Sequence, residues 1–449
     1  MAMDSSSGWS SALAGGADTI VARSSPAGRA GLAVIRVSGG AARELAAVVC
    51  PDLEFERGWR ASLVELLGAD GAVIERAVAL PYPEPRSYTG EDMFELMVHG
   101  SPWVVRATID ALIAAGGRQA EPGEFTRRAV ANGKLDLVQA EAVNELTAAE
   151  TAVQARMAQA QVSGVLSREF TELKNGLTEL LAGLEATLDF SHHEIPYDRH
   201  SARAGRARCA EKIRALMATA AAGRRVREGV RVAIVGPANS GKSTLFNTLV
   251  GTERAIVSPH AGTTRDLVEA ELEIGGVRVV LQDTAGLEAA TDPVELEGIR
   301  RARGAAAAAD AVVVLWPADR DDSPALGSIE GQPVIRIRSK IDVDPAAEAP
   351  DGWLALSCRT NRGMDELRRA LVDAVAAEVV DLGGQVAVAE RHRSALEAAL
   401  AELEGGDFEA PELAAEAVRA ALDAVRGILG EVVTEDVLDR VFAGFCIGK

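Results

Sequence analysis

Hydrophobic positions change period along this chain, and the changes divide it into segments. From Asp18 to about Arg118 short apolar stretches alternate between strand and helix period. Thr19–Arg23 and Gly31–Val37 read as strands around a Ser-Pro-Ala-Gly turn, Ala41–Val49 as a helix and Phe94–Val98 as a further strand. Pro81, Pro83 and Pro85 predict an ordered connector rather than a helix or strand ahead of Tyr88-Thr89-Gly90-Glu91-Asp92. From Leu135 to Ala222 apolar residues recur at three and four, with Ala, Glu, Gln and Leu dominant, which predicts long helices. A turn at Asp189–Pro196 interrupts them. From about Arg231 to Val380 strand and helix patterns alternate again. Arg391–Glu404, Ala414–Leu429 and Glu435–Phe442 then return to helical period. Helices with one apolar stripe need a partner, so the two helical blocks are expected to join into one domain with the globular segment inserted between them.

The inserted segment carries the most specific chemistry. Gly236-Pro237-Ala238-Asn239-Ser240-Gly241-Lys242-Ser243 follows the β-branched run Val230–Val235 and precedes the helical run Thr244–Val250. Two glycines framing a loop that ends in Lys-Ser, between strand and helix, is a phosphate cradle. Backbone N–H groups and the helix N-terminus favour the anion, Lys242 reaches the terminal phosphates, and Ser243 offers a hydroxyl to Mg2+. Gly262-Thr263-Thr264-Arg265-Asp266 follows as a switch segment in which Thr264 is placed to give Mg2+ a second hydroxyl. A hairpin turning at Gly275-Gly276 leads into Asp283-Thr284-Ala285-Gly286, where Asp283 holds the metal through water and the Gly286 N–H senses the γ-phosphate.

Base choice comes from Ser339-Lys340-Ile341-Asp342, at the end of a predicted strand Pro333–Ile337. The Asp342 carboxylate can accept from the ring N–H and the exocyclic amine of guanine, a pair that adenine lacks. This opposes an ATP-driven motor. Leu354–Arg359, with Ser357, Cys358 and Arg359 at its end, supplies a last strand and a loop over the base. Gly286 is followed by Leu287, so the glutamine that orients water in many GTPases is absent, and charge must be supplied elsewhere. Asn239 has a side-chain oxygen able to hold a monovalent cation, which would act electrostatically as an arginine finger does.

Composition narrows the setting. The chain has 449 residues, room for about three domains. Its hydrophobic content of 48% excludes a mainly disordered protein. No apolar run approaches the roughly 18 residues of a membrane span, and residues 1–17 lack the basic start and apolar core of a targeting signal, so a floppy extension and a cytoplasmic protein with no membrane partner are expected. Cys50, Cys209, Cys358 and Cys446 are far apart and show no paired spacing. His192, His193 and Glu194 are adjacent rather than on one helix face, which argues against a metal site. The net charge of -19 repels nucleic acid overall, so an RNA partner has to meet a local patch. The stretch Arg199–Arg231 is one, rich in arginine; a solvated helix face is the other reading.

Further blocks carry a resemblance to the MnmE (TrmE) family of bacterial tRNA-modification GTPases over nearly the whole chain. They are Asp18-Thr19-Ile20-Val21-Ala22, Pro26-Ala27-Gly28-Arg29, Arg36-Val37-Ser38-Gly39, Tyr88-Thr89-Gly90-Glu91-Asp92, Glu121-Pro122-Gly123-Glu124-Phe125, Lys134-Leu135-Asp136-Leu137 and the terminal Phe445-Cys446-Ile447-Gly448-Lys449. The resemblance implies a homodimer joined through N-terminal domains that bind a 5-formyl- or 5,10-methylene-tetrahydrofolate, with Arg36, Glu95, Lys134 and Lys449 at that site. It implies K+-dependent pairing of the GTPase heads, with Asn239, Ser258, His260 and Thr263 around K+, Ser243 and Thr264 on Mg2+, and Glu295 positioning water. With the motif residues, the GTP site becomes Asn239, Ser240, Gly241, Lys242, Ser243, Thr244, Ser258, Thr263, Thr264, Asp283, Thr284, Ala285, Gly286, Ser339, Lys340, Asp342, Ser357, Cys358 and Arg359. Cys446 matches the family's functional cysteine; from the residues alone a small buried hydrophobe is equally consistent. The family acts with an FAD-dependent partner, MnmG, on carbon 5 of the tRNA wobble uridine, adding an aminomethyl or carboxymethylaminomethyl group. Two departures stand out: Ser339 replaces the usual Asn, and His192 and His193 stand where acids are common.

The expected architecture is therefore multidomain α/β. Residues 1–17 are an extension, 18–133 an α+β folate-binding and dimerisation domain, 134–228 with 381–449 a discontinuous helical domain, and 229–380 a Ras-like phosphate-loop GTPase domain. The other function class in play is a regulatory GTPase switch in ribosome assembly.

Overall fold

The computed structural model describes residues 18–189, 197–237, 239–255, 268–283, 304, 306–320, 332–344, 349–380 and 387–449. The extension 1–17 and the turn carrying His192 and His193 lie outside them. The chain forms two compact units, Met1–Asn144 with Val425–Lys449, and Glu145–Ala424.

In the first unit β1 (Ile20–Arg23), β2 (Ala30–Ser38), β3 (Ser62–Leu67), β4 (Val73–Tyr82), β5 (Met93–Gly100) and β6 (Arg118–Gln119) form a six-stranded sheet in the order β3-β4-β5-β2-β1-β6. The alternation read from the sequence sets its faces. Ala33, Ile35 and Val37 of β2 and Phe94, Leu96 and Val98 of β5 join the core with α1 (Ala42–Val49) and α2 (Pro102–Ala114). Arg36 and Glu95, directly opposite in register, therefore share the other face. Pro81 was expected to break the chain, yet it lies inside β4, opposite Phe94. The reason is directional: the Pro81 carbonyl accepts from Trp59 N at 2.8 Å, so the missing N–H would also have pointed away from β5.

The same unit holds α3 (Glu124–Ala131) and the last helix, Glu435–Phe442. Leu137, Ala140, Leu438, Phe442 and Phe445 pack together. The C-terminal tail then lies on the N-terminal fold: Ile447 bridges Pro122, and Gly448 O accepts from Ser24 Oγ at 3.0 Å.

The second unit contains α5 (Ala152–Val162), α6 (Val165–Asp189), α7 (Arg199–Ala218) and α8 (Ala220–Glu228), which follow α4 (Leu137–Ala148) in the chain. Next come β7 (Val230–Val235), α9 (Lys242–Thr252), β8 (Arg254–Ala255), β9 (Val268–Ile274), β10 (Val277–Asp283), β11 (Ala311–Pro317), β12 (Val334–Ser339), β13 (Leu354–Leu356) and α10 (Met364–Val380). α11 (Glu390–Gly405) and most of α12 (Pro411–Leu429), up to Ala424, complete it before α13, the last helix. The sheet has seven strands in the order β13-β12-β11-β7-β10-β9-β8, parallel from β13 to β10. Every residue of β11 is buried, as a central parallel strand covered on both faces requires.

The chain enters this sheet after α8 and leaves it at Ala387, and side chains hold the two crossings together. Arg227 donates to Ala387 O at 3.0 Å and Val388 O at 3.1 Å, with its Nε on Glu145 at 2.5 Å. Gln161 adds a bond to Ala387 O at 3.1 Å, and Gln154 donates to Val226 O and Arg227 O at 3.0 and 3.2 Å. Val153 and Met157 of α5 are buried in the core of the sheet domain, and Arg278 of β10 pairs with Glu150 at 3.0 Å.

The arginine-rich stretch is largely neutralised within the unit. Arg199 and Arg203 meet Glu409, Arg214 meets Glu404, and Lys212 lies 2.9 Å from Glu169. Arg206 stacks on Phe408, 5.0 Å from the ring centre. The solvated, internally paired face thus accounts for most of its charge.

Arg227→Ala removes three hydrogen bonds in a half-buried site, leaving Ala387 O with Gln161 alone. It is expected to lower unfolding stability by about 2 kcal/mol, against less than about 0.5 kcal/mol for the exposed Arg214→Ala. Chemical denaturation of the full chain measures both, and equal losses would contradict a clasping role for Arg227.

Candidate nucleotide site

At the C-terminal edge of the parallel sheet, β7 ends at Val235 and the glycine loop turns the chain into α9. Two glycines meet distinct requirements. A Cβ on Gly236 would sit 2.4 Å from Leu315 O, so only glycine lets the loop pass β11, and Gly241 caps α9 with φ at 95°. Lys242 is buried, and its Nζ donates to Gly236 O and Pro237 O at 2.8 and 2.9 Å. An ammonium held inside its own loop by two carbonyls is poised to exchange them for phosphate oxygens. Ser243 and Thr244 are exposed on the first turn of α9.

Asn239 takes φ of 60°, the left-handed region that asparagine tolerates better than most residues. Its side chain is exposed at the loop. Asp283 ends β10 and is 4% exposed. Ser243 hydroxyl and Asp283 carboxylate are hard oxygen donors of the kind Mg2+ takes. Of the remaining expected residues, Ser258, His260, Thr263, Thr264, Thr284, Ala285, Gly286 and Glu295 lie outside the described residues.

The base side is tied to the phosphate side through one hydroxyl. Ser339, 4% exposed at the end of β12, donates from Oγ to Ser240 O at 2.7 Å. A hydroxyl has a single proton, so this bond commits it. Ser357 Oγ donates to Asp342 Oδ1, also at 2.7 Å, and holds that carboxyl below its ordinary range. Lys340, at φ 59°, lets the chain turn between the two. Arg359 adds attraction to Asp342. Cys358 is half buried against the core with its thiol pushed up by burial, which fits packing rather than chemistry. The sequence shows Ser339 as a departure from the usual Asn; its bond to Ser240 O is visible only in the fold.

A second cluster occupies the first unit. Glu95 is bonded by Arg36 at 2.8 Å and by Tyr82 Oη at 3.1 Å. Arg36 lies over the rings of Tyr88 and Phe125, at 5.3 and 5.5 Å. Lys449 is half buried here, its ammonium pulled down by burial and by Arg36. Lys134 instead bonds Pro85 O at 3.0 Å. Cys446 is exposed, and its carbonyl accepts from Gly123 N at 3.4 Å. The tyrosines and Phe125 were not expected at this site; register with Arg36 and Glu95 is the signal that finds Tyr82.

A parallel sheet whose first strand feeds a lysine-bearing glycine loop, with a fixed carboxylate at a later strand end, defines a phosphate-loop domain of the GTPase class. The chain belongs to the MnmE (TrmE) family. The family model described as "MnmE helical domain" matches residues 137–446, and "GTP-binding protein TrmE N-terminus" matches residues 19–134. The tRNA modification GTPase MnmE of Phenylobacterium zucineum is 43% identical, and that of Caulobacter vibrioides 40%, each over 96% of this chain and 100% of the relative. The Thermus thermophilus protein of the same name is 40% identical over 96% of this chain and 99% of its own. The fold is accordingly an N-terminal α+β domain, a helical domain and a GTPase domain.

Ser339→Ala removes the tether between base and phosphate segments. Release of labelled GDP is expected to quicken roughly fivefold, about 1 kcal/mol, with guanine preference unchanged, as read by stopped-flow fluorescence. An unaltered release rate would mean that the hydroxyl tethers nothing that matters to binding.

Proposed function

We propose that this protein is a K+-activated GTPase which, with an FAD-dependent partner of the MnmG type, installs an aminomethyl or carboxymethylaminomethyl group on carbon 5 of the wobble uridine of tRNA. The proposal includes a homodimer joined through residues 18–133, a reduced one-carbon folate at that domain, and a cytoplasmic setting. Domain limits follow the sequence reading, with 134–228 and 381–449 helical and 229–380 the GTPase head. The observation that carries it is the Arg36–Glu95 pair joined by the C-terminal Gly448 and Lys449, in a family member matched over 96% of its length. A ribosome-assembly switch has no need of such a cluster. Among the described residues no helix is long and apolar enough to cross a membrane.

In this reading Lys242 and the loop N–H groups bind the β- and γ-phosphates, and Asp342, held by Ser357, accepts from guanine. Mg2+, when bound to the Ser243 and Thr264 hydroxyls, supplies charge neutralisation on the phosphates. Asn239, with Ser258, His260 and Thr263, would hold K+, which would supply positive charge to the transferring phosphoryl group, and Glu295 would orient the attacking water. Charge placed where it develops is the main lever in phosphoryl transfer.

GTP turnover at dimer-forming concentration should be much faster in K+ than in Na+, and Asn239→Ala should abolish the difference; equal rates in both salts would exclude the cation role. Loss of the carbon-5 group from wobble uridine is expected in a deletion strain, by mass spectrometry of tRNA nucleosides. Intact modification together with a ribosome-assembly defect would favour the switch instead. Cys446→Ser should keep GTPase activity and lose modification in the complemented strain. Normal nucleosides there would remove Cys446 from the chemistry.

A further inference from the structure

The cluster around Glu95 contains a third partner that the folate residues do not include. Register places it: Glu95 lies opposite Leu80 and Met93 opposite Tyr82, so Tyr82 stands two positions along β4 on the face that carries Glu95 and Arg36. The two carboxylate oxygens are used differently. Oε1 accepts from Nε of Arg36 at 2.8 Å, and Nη2 of the same guanidinium lies 2.8 Å away as an ion-pair contact. Among the described residues Oε2 receives the Tyr82 hydroxyl alone, at 3.1 Å, and retains one lone pair. The phenolic oxygen has donated its proton and keeps its own lone pairs. Glu95 Oε2 and Tyr82 Oη thus form two neighbouring acceptors.

The pair is held in place. The Tyr82 ring meets Trp59 edge to face, with centres 4.8 Å apart and planes at 90°. Trp59 is fixed by its own N–H on Pro81 O, one residue before Tyr82. Burial and the Glu95 charge push the Tyr82 phenol up to about 12, so it remains a hydroxyl at neutral pH. Arg36 covers the flat rings of Tyr88 and Phe125 beside the same carboxylate.

We propose that Tyr82 is a specificity-determining residue of this site, forming with Glu95 a two-acceptor edge for a planar heterocycle that presents adjacent ring N–H and amino donors. The 2-amino-4-oxo ring of a reduced pterin has that edge, and the assignment rests on the reduced-folate reading above. Tyr82 donates to Glu95 and accepts from the ligand's amino group; Glu95 accepts the ring N–H. A ligand lacking the amino group makes only the Glu95 contact.

The test is calorimetric titration of the full chain with 5-formyltetrahydrofolate and with its 2-desamino analogue. Tyr82→Phe keeps the ring and its contact with Trp59 and removes only the hydroxyl. It is expected to weaken the parent folate about tenfold, the worth of a hydrogen bond with a charged network, and to leave the analogue's affinity nearly unchanged. Glu95→Gln, which preserves shape, should weaken both ligands. Unchanged folate affinity in Tyr82→Phe overturns the assignment, and so does an equal loss for both ligands, since that marks general loosening of the site. If wild type binds neither ligand while retaining its melting temperature, the folate reading itself fails and the Tyr82 assignment falls with it.

Discussion

Everything in the second unit depends on how a sheet domain is joined to helices at two points of the chain rather than one. An inserted domain leaves by the same door it entered, so its two crossings lie side by side, and each brings backbone carbonyls that have no partner in either fold. Arg227 answers both needs. Its guanidinium bonds the carbonyls of Ala387 and Val388 on the exit segment, while its own carbonyl is taken by Gln154. A planar fork of fixed geometry suits this task better than a lysine, because it reaches two carbonyls and the Glu145 carboxylate at once. α5 then does more than brace the helices. Its Val153 and Met157 are buried in the sheet domain's core, so movement of that core is felt by α5 directly.

The charge balance follows a related logic. In a chain with net charge -19, several of the basic residues along α7 face acids of the same unit. Arg199 and Arg203 converge on Glu409, and Arg419 pairs with Glu185 at 2.8 Å. Such exposed pairs contribute little stability singly. Their consequence is electrostatic: they reduce the patch that the sequence offered for RNA. Recognition of a polyanion by this unit has to rely on fewer, better placed cations than the count along α7 suggests.

What was legible in the sequence follows the range of the interactions involved. The glycine loop, Asp342, the hairpin at Gly275-Gly276 and the long helices are local patterns, and each element lies where its period and turn residues put it. The connector at Pro81 was misread because a proline's effect depends on which side of the strand its nitrogen faces, and that is a property of the partner strand. Arg36 is placed at its site in the sequence only by resemblance, because its partners, Glu95, Tyr88 and Gly448, lie on another strand 59 residues away, in the connector after β4 and at the far end of the chain. The Ser339 bond to Ser240 spans 99 residues and was likewise invisible. Pairings of that range are written in the fold, not in any window of sequence.

Asn239 shows how one position can answer to two constraints that act on different atoms. Its φ of 60° is a backbone demand, and glycine would meet it without steric cost. Asparagine in that region accepts some strain and keeps an amide. A purely conformational requirement therefore explains why the residue is neither β-branched nor bulky, but not why it has a side chain at all. The exposed amide oxygen is what asparagine adds over glycine, beside a phosphate loop that lacks a following glutamine. A cation held there would supply positive charge where hydrolysis needs it, and would do so without a protein side chain reaching across. The backbone tolerates Asn239, and the proposed cation role gives its side chain a use that glycine could not supply.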